Sequence, residues 1–211
     1  DIVSYTGTGS AHTIAHSLGV KPDLIIVKDL TDTNDWQVYN STSGGGATRY
    51  LQLNDTSPYA APSAGRWNST EPTSSVFSVG DSGAVNTDTN NYIAYLWASI
   101  EGYSKVGSYT GNGNADGAFI YTGFRPAWIL VKNSTASGNG WEIWDNKRDT
   151  YNVMNHLLEA NTTGARITSA EVDFVSNGFK VRSASDAMND NGETLVFLAF
   201  AESPFKYSNA R

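Results

Sequence analysis

The apolar positions of this chain come in short runs separated by Gly, Pro, Asn and Asp. Thr13-Ile14-Ala15-His16 alternates weakly, and Trp36-Gln37-Val38-Tyr39 more clearly, with the period of two that lines one face of a strand. Leu24-Ile25-Ile26-Val27 is continuous instead, the pattern of a strand covered on both faces, and Gly19 and Pro22 break the chain before it. It is expected at the centre of a sheet. Trp141-Glu142-Ile143-Trp144-Asp145 repeats the alternation of Trp36 to Tyr39. Tyr50-Leu51-Gln52-Leu53-Asn54 resembles Leu157-Leu158-Glu159-Ala160-Asn161; both read as strands, with a helical turn as the alternative for the second. Val76-Phe77-Ser78-Val79-Gly80 parallels Asp173-Phe174-Val175-Ser176-Asn177-Gly178, where Asn177-Gly178 leading into Phe179-Lys180-Val181 is a two-residue hairpin signal. The most apolar runs, Tyr92 to Ala98 and Leu195 to Ala201, read as core strands and are too short to cross a bilayer. Between Asn54 and Thr73 the pattern lapses into a long loop around Arg66-Trp67.

These elements recur. Ser108-Tyr109-Thr110-Gly111-Asn112-Gly113 repeats Ser4-Tyr5-Thr6-Gly7-Thr8-Gly9 at a separation of 104 residues, and Gly123 to Lys132 repeats Gly19 to Lys28 in the same register. Two blocks in one register imply two copies of one unit. The expected architecture is all-β: two tandem antiparallel β-sandwich repeats of jelly-roll or lectin-like type, over residues 1–104 and 105–211. One composite sandwich shared by both halves is the alternative. The short join between the copies predicts a fairly rigid, rod-like pair.

Composition agrees with short strands and many turns: 20 Gly and 25 aromatics, with charged residues at 17%. The formal net charge of −7 gives no electrostatic reason to bind nucleic acid or an anionic membrane, and no run suits membrane insertion. With 0 Cys there is no disulfide framework and no thiolate site. Starting at Asp1 rather than Met, the sequence is expected to be a processed or excised piece of a longer chain.

Candidate chemistry is sparse. Glu171-Val172-Asp173-Phe174 looks like the start of the Glu-x-Asp-x-x-Glu strand of laminarinase-type glycoside hydrolases, but Ser176 stands where the second acid belongs, so a retaining carboxylate pair is not expected. A glycoside hydrolase is the third-ranked function. His12, His16 and His156 lack the converging ligands of a zinc site. The oxygen-rich stretches Asp29/Asp32/Asp35 and Asp186/Asn189/Asp190/Asn191/Glu193 match no calcium-loop spacing, so no cofactor is expected, a structural Ca²⁺ being possible without a motif. Gly44-Gly45-Gly46 and Gly111-Asn112-Gly113 read as turns rather than phosphate loops. Tryptophans beside polar side chains suit a sugar ring, whose C–H face stacks on indole. Trp67 with Arg66 and Asn68, and Trp144 with Glu142 and Asp145, are therefore the candidate ligand-binding residues, with core packing as the competing use.

From Gly102 to Gly113, through Tyr121-Thr122-Gly123-Phe124-Arg125-Pro126-Ala127-Trp128, Trp141 to Asp149, and on to Ala199-Phe200-Ala201-Glu202-Ser203-Pro204-Phe205-Lys206, the sequence resembles a repeat domain of tailed-phage virion proteins of the tail-fibre-like, marine and cyanobacterial type. The first copy resembles it more loosely and departs between Gly44 and Thr73. The resemblance implies a non-enzymatic virion module (tail fibre, spike or capsid decoration) on the virion surface or otherwise extracellular. It would assemble as a trimer or larger homo-oligomer, meet other virion proteins and present a surface to the host. It supplies no functional residue. A carbohydrate-binding module of an extracellular protein, recognising a cell-surface glycan, is the alternative.

Overall fold

The computed structural model describes residues 1–42 and 44–204. By internal contacts the chain divides into two compact units, Asp1–Ala98 and Ser99–Arg211. Phe205 and Lys206, which end the last of the resembling runs, lie outside the described residues. Among the described residues, apart from two four-residue helices, the regular elements are strands. The fold is all-β. Among the described residues no helix is long and apolar enough to cross a membrane.

The first unit contains β1 (Ile2–Thr6), β2 (His12–Ala15), β3 (Leu24–Asp29), β4 (Gln37–Asn40), β5 (Leu51–Gln52), β6 (Val76–Val79), α1 (Gly83–Asn86) and β7 (Asn91–Trp97). Five strands form an antiparallel sheet in the order β1-β7-β3-β4-β5, and β2 pairs separately with β6. β3, the continuous apolar run, is central as its pattern requires. Alternate residues of the larger sheet, Ile25, Val27, Tyr39, Tyr92, Ala94 and Leu96, share one core with Ile14, Phe77 and Val79 of the β2–β6 pair. Burying such side chains contributes about 1.5–3 kcal/mol each, which is what holds two small sheets together.

The second unit contains β8 (Ser104–Thr110), β9 (Phe119–Tyr121), β10 (Pro126–Asn133), β11 (Trp141–Asp145), β12 (Met154–Glu159), β13 (Ile167–Val175), β14 (Gly178–Val181), α2 (Asp186–Asn189) and β15 (Thr194–Ala201). Its strands make one antiparallel sheet, β8-β15-β10-β11-β12-β13-β14-β9. The sheet curls into a nearly closed, jelly-roll-like barrel, so that Ile129, Trp144 and Phe197 from one half meet Val172, Phe174 and Phe179 from the other. Tyr109 of β8 stands edge-on to Phe179 of β14, with ring centroids 6.0 Å apart.

One hydrogen-bonded clamp occurs in both units and accounts for the repeated Tyr-Thr-Gly-x-Gly. Tyr5 Oη donates to Val85 O and Tyr109 Oη to Met188 O, both at 2.8 Å. The next residue of each short helix is a fully buried asparagine, Asn86 or Asn189. Asn86 Oδ1 accepts from Thr8 N at 2.8 Å, and Asn189 Oδ1 from Asn112 N at 2.9 Å. Gly9 N and Gly113 N, at φ +70° and +63°, donate to the backbone oxygens of the same asparagines. Gly7 and Gly111 are required for a different reason: a Cβ there would collide with the carbonyl oxygen of Thr87 or Asp190.

Two sequence pairings shift. Val76–Val79 corresponds to Gly178–Val181 rather than to Asp173–Gly178, because β6 pairs with β2 as β14 pairs with β9. The turn of the β13–β14 hairpin is Ser176-Asn177, one residue earlier than the Asn-Gly signal, since Val175 is paired with Gly178. Gly178 serves as a strand residue whose missing side chain leaves room for the Ile120 carbonyl.

Candidate functional site

The structure puts both candidate tryptophans inside. Trp67 is 2% exposed, lies edge-on to Tyr39 with centroids 5.9 Å apart, and donates from Nε1 to Arg49 O at 3.0 Å. Trp144 is 0% exposed and belongs to the barrel core. Neither indole offers an open face, so sugar stacking on these rings, as the sequence suggested, has no surface to use. The physical reason is the size of the ring: in a unit of about a hundred residues a large indole is worth more as filling than as display. Trp141 is also buried, on the opposite sheet face from Trp144, being paired with Lys132 where Trp144 is paired with the core residue Ile129.

Asp145 is occupied by its own turn. It accepts from the backbone N–H groups of Lys147 and Arg148 at 2.9 Å each and from Arg148 Nε at 2.6 Å. Burial alone would raise its pKa, but these bonds and the guanidinium outweigh it and hold the carboxyl below its ordinary value. The oxygen-rich loop of the first unit is likewise filled from within. Asp29 takes the N–H groups of Thr31 and Asp32 and the side-chain amides of Asn34 and Asn90, which against the effect of burial bring its pKa down to about 2. Asp35 receives Gln52 and Asn54. His156 Nδ1 lies 2.7 Å from Asp149 Oδ1. Among the described residues no group of three or more His, Asp or Glu side chains is placed to hold a metal ion.

Glu142 is the exception. It shares the inner face with Trp144 two residues on, is 6% exposed, and accepts from Trp144 Nε1 at 3.4 Å. Burial, then the charge of Glu171, then that of Glu159 push its pKa up to about 8. A carboxyl with a folded-state pKa above its unfolded value stabilises the fold most when protonated, and that contribution is lost as pH rises through about 8. In divalent-free buffer the second unit is therefore expected to lose about 2–3 kcal/mol between pH 6 and pH 9. Glu142→Gln should remove most of that slope, as read from urea midpoints at the two pH values.

A surface that the sequence reading missed lies on β9. Among the described residues this end strand pairs only with β14, and the bonds Val181 N to Ala118 O and Thr122 N to Asn177 O direct alternate backbone groups towards β14. The N–H and C=O groups of Phe119 and Tyr121 consequently point to the free edge. Their side chains are 49% and 66% exposed. Tyr121 stands opposite Gly178, and Phe119 opposite Lys180, whose ammonium lies 2.7 Å from Asp116. The signal was present as aromatic, Ile, aromatic after Gly117, where the first unit has Thr13, Ile14 and Ala15.

Among solved structures, one described as "Crystal Structure of the STIV MCP" aligns over 100% of both chains at 12% identity with a TM-score of 0.28, and at that score the likeness carries no weight for fold or function. No curated protein matches the chain in sequence. A family model described as "Domain of unknown function (DUF7483)" matches residues 1–204, almost the whole chain, and the chain belongs to that family.

Proposed function

We propose that this chain is a non-enzymatic structural and adhesion module of a virion, built as two tandem copies of a β-sandwich and displayed on the particle exterior. The observation that carries the reading is the duplicated clamp: the polar residues the two halves have in common, Tyr5/Tyr109 and Asn86/Asn189, are spent on holding backbone in place. The copies also differ in what they expose, above all in the exposed Phe119 and Tyr121 on the end strand β9. Such a division suits a scaffold that presents a face. The resemblance of Gly102 to Gly113 and its continuation to tailed-phage repeat proteins supports the virion setting.

Assembly with further copies and with neighbouring virion proteins follows from this reading. Light scattering on the purified chain is expected to give a trimer or larger species, and Phe119→Ser with Tyr121→Ser to weaken it by exposing no aromatic edge. A second reading, a monomeric carbohydrate-binding module, is favoured by the open ring of Tyr121 opposite the bare Gly178. A monomer whose glycan-array binding is lost in Tyr121→Ala would favour that reading over the first.

A further inference from the structure

We propose that the slot between Glu142 on β11 and Glu171 on β13 is a cation site, taking a hard divalent cation such as Ca²⁺ where the first unit places a guanidinium of its own. The inference is independent of the function proposed above. It starts from an equivalence that the sequence does not display. Gly80 N donates to Arg66 O at 2.9 Å and Arg182 N to Glu171 O at 2.6 Å, each donor following a fully buried core valine, Val79 or Val181. The residues after the acceptors, Trp67 and Val172, both enter their cores. Arg66 and Glu171 thus hold the same station. Gln37 and Glu142 also correspond, each following a tryptophan whose N–H is taken by an asparagine side chain, Asn54 or Asn161.

In the first unit that station is neutralised and filled. Arg66 Nε donates to Gln37 Oε1 at 2.8 Å, its Nη1 reaches Ser82 Oγ before α1, and the guanidinium carbon sits 4.5 Å above the Tyr50 ring. In the second unit the same two positions are both acids, each 6% exposed. Glu171 Oε1 accepts from Ser169 Oγ at 2.6 Å, but its Oε2 is buried without a hydrogen-bond partner among the described residues. Glu159 is paired directly opposite Glu142 and adds to the negative potential, and the phenol of Tyr109 is in electrostatic reach of both acids. The neighbouring cations are engaged elsewhere, Arg182 with Asp173 and Lys180 with Asp116.

Two buried carboxylates cannot both stay charged without a counter-charge. A proton supplies it at low pH; a cation can supply it at higher pH, and hard divalent cations prefer carboxylate and hydroxyl oxygen, with water completing the shell. Glu142, Glu171 and the Ser169 hydroxyl make such a set, with the orphan Oε2 as its open ligand position.

The test is the melting temperature of the intact chain above pH 8, in chelator and in millimolar CaCl₂ or MgCl₂. The second unit's transition is expected to rise by about 4 °C or more with cation, and by less at lower pH, where protons compete. The variant carrying Glu142→Gln and Glu171→Arg, which installs the first unit's pair in the second, should lose the response. Should it fail to fold, Glu142→Gln alone must still weaken the response. No rise in the unsubstituted chain, or an equal rise in the variants, would overturn the site, the latter marking an adventitious ion only.

Discussion

Asn189→Ala is expected to destabilise the second unit by upwards of about 4 kcal/mol, most of the margin a domain of this size possesses. The asparagine is fully buried. Its Nδ2 lies 2.7–2.8 Å from Asn112 Oδ1, Asn114 O and Ser183 O, sharing its two N–H groups among the three, while its Oδ1 accepts from Asn112 N at 2.9 Å, so one amide ties the β8–β9 loop to the segment before α2. Alanine removes the bonds and leaves their partners unsatisfied in the interior, each at a cost of about 1–3 kcal/mol. Asn189→Asp should be no rescue, because a carboxylate would face the carbonyl oxygens of Asn114 and Ser183. Calorimetry of the intact chain should show the second unit's transition falling while the first unit's stays in place.

Trp67→Ala should cost the first unit about 4 kcal/mol, the usual size for emptying a buried indole site. Arg66 O in the loop carrying Trp67 accepts from Gly80 N as Glu171 O of β13 accepts from Arg182 N, and the indole enters the first unit's core where Val172 enters the second's. Trp67→Phe is expected to recover most of the packing and lose the bond to Arg49 O, placing it between alanine and tryptophan in chemical denaturation. A change of less than about 0.5 kcal/mol in the alanine variant would mean that the ring is not the core element described here.

The strands and the recurring Tyr-Thr-Gly-x-Gly blocks were legible because both rest on local chemistry. Alternation sets which side chains share a face, and the Tyr-Thr-Gly-x-Gly blocks are fixed by a clamp that tolerates few other residues. The equivalence of Arg66 and Glu171 was not legible: only backbone position links them, and their chemistries are opposite. Nor does period two tell burial when both faces of a sheet are covered, as for Trp141 and Trp144, which point to opposite faces and are both buried. Glu142 looked like a polar neighbour for a sugar; its two-residue spacing from Trp144 instead carries it inward with the ring. Phe119 and Tyr121 were passed over because a three-residue strand gives too little pattern to recognise.

Amide hydrogen exchange on the intact chain tests the duplicated clamp most directly. Thr8, Gly9, Asn112 and Gly113, whose N–H groups end on Asn86 or Asn189, should be protected in both units to the level of global opening, although they lie in turns. Asn189→Ala should strip protection from Asn112 and Gly113 and leave Thr8 and Gly9 unchanged. Rapid exchange of these amides in the unsubstituted chain, or protection in one unit only, would contradict the account of one module built twice.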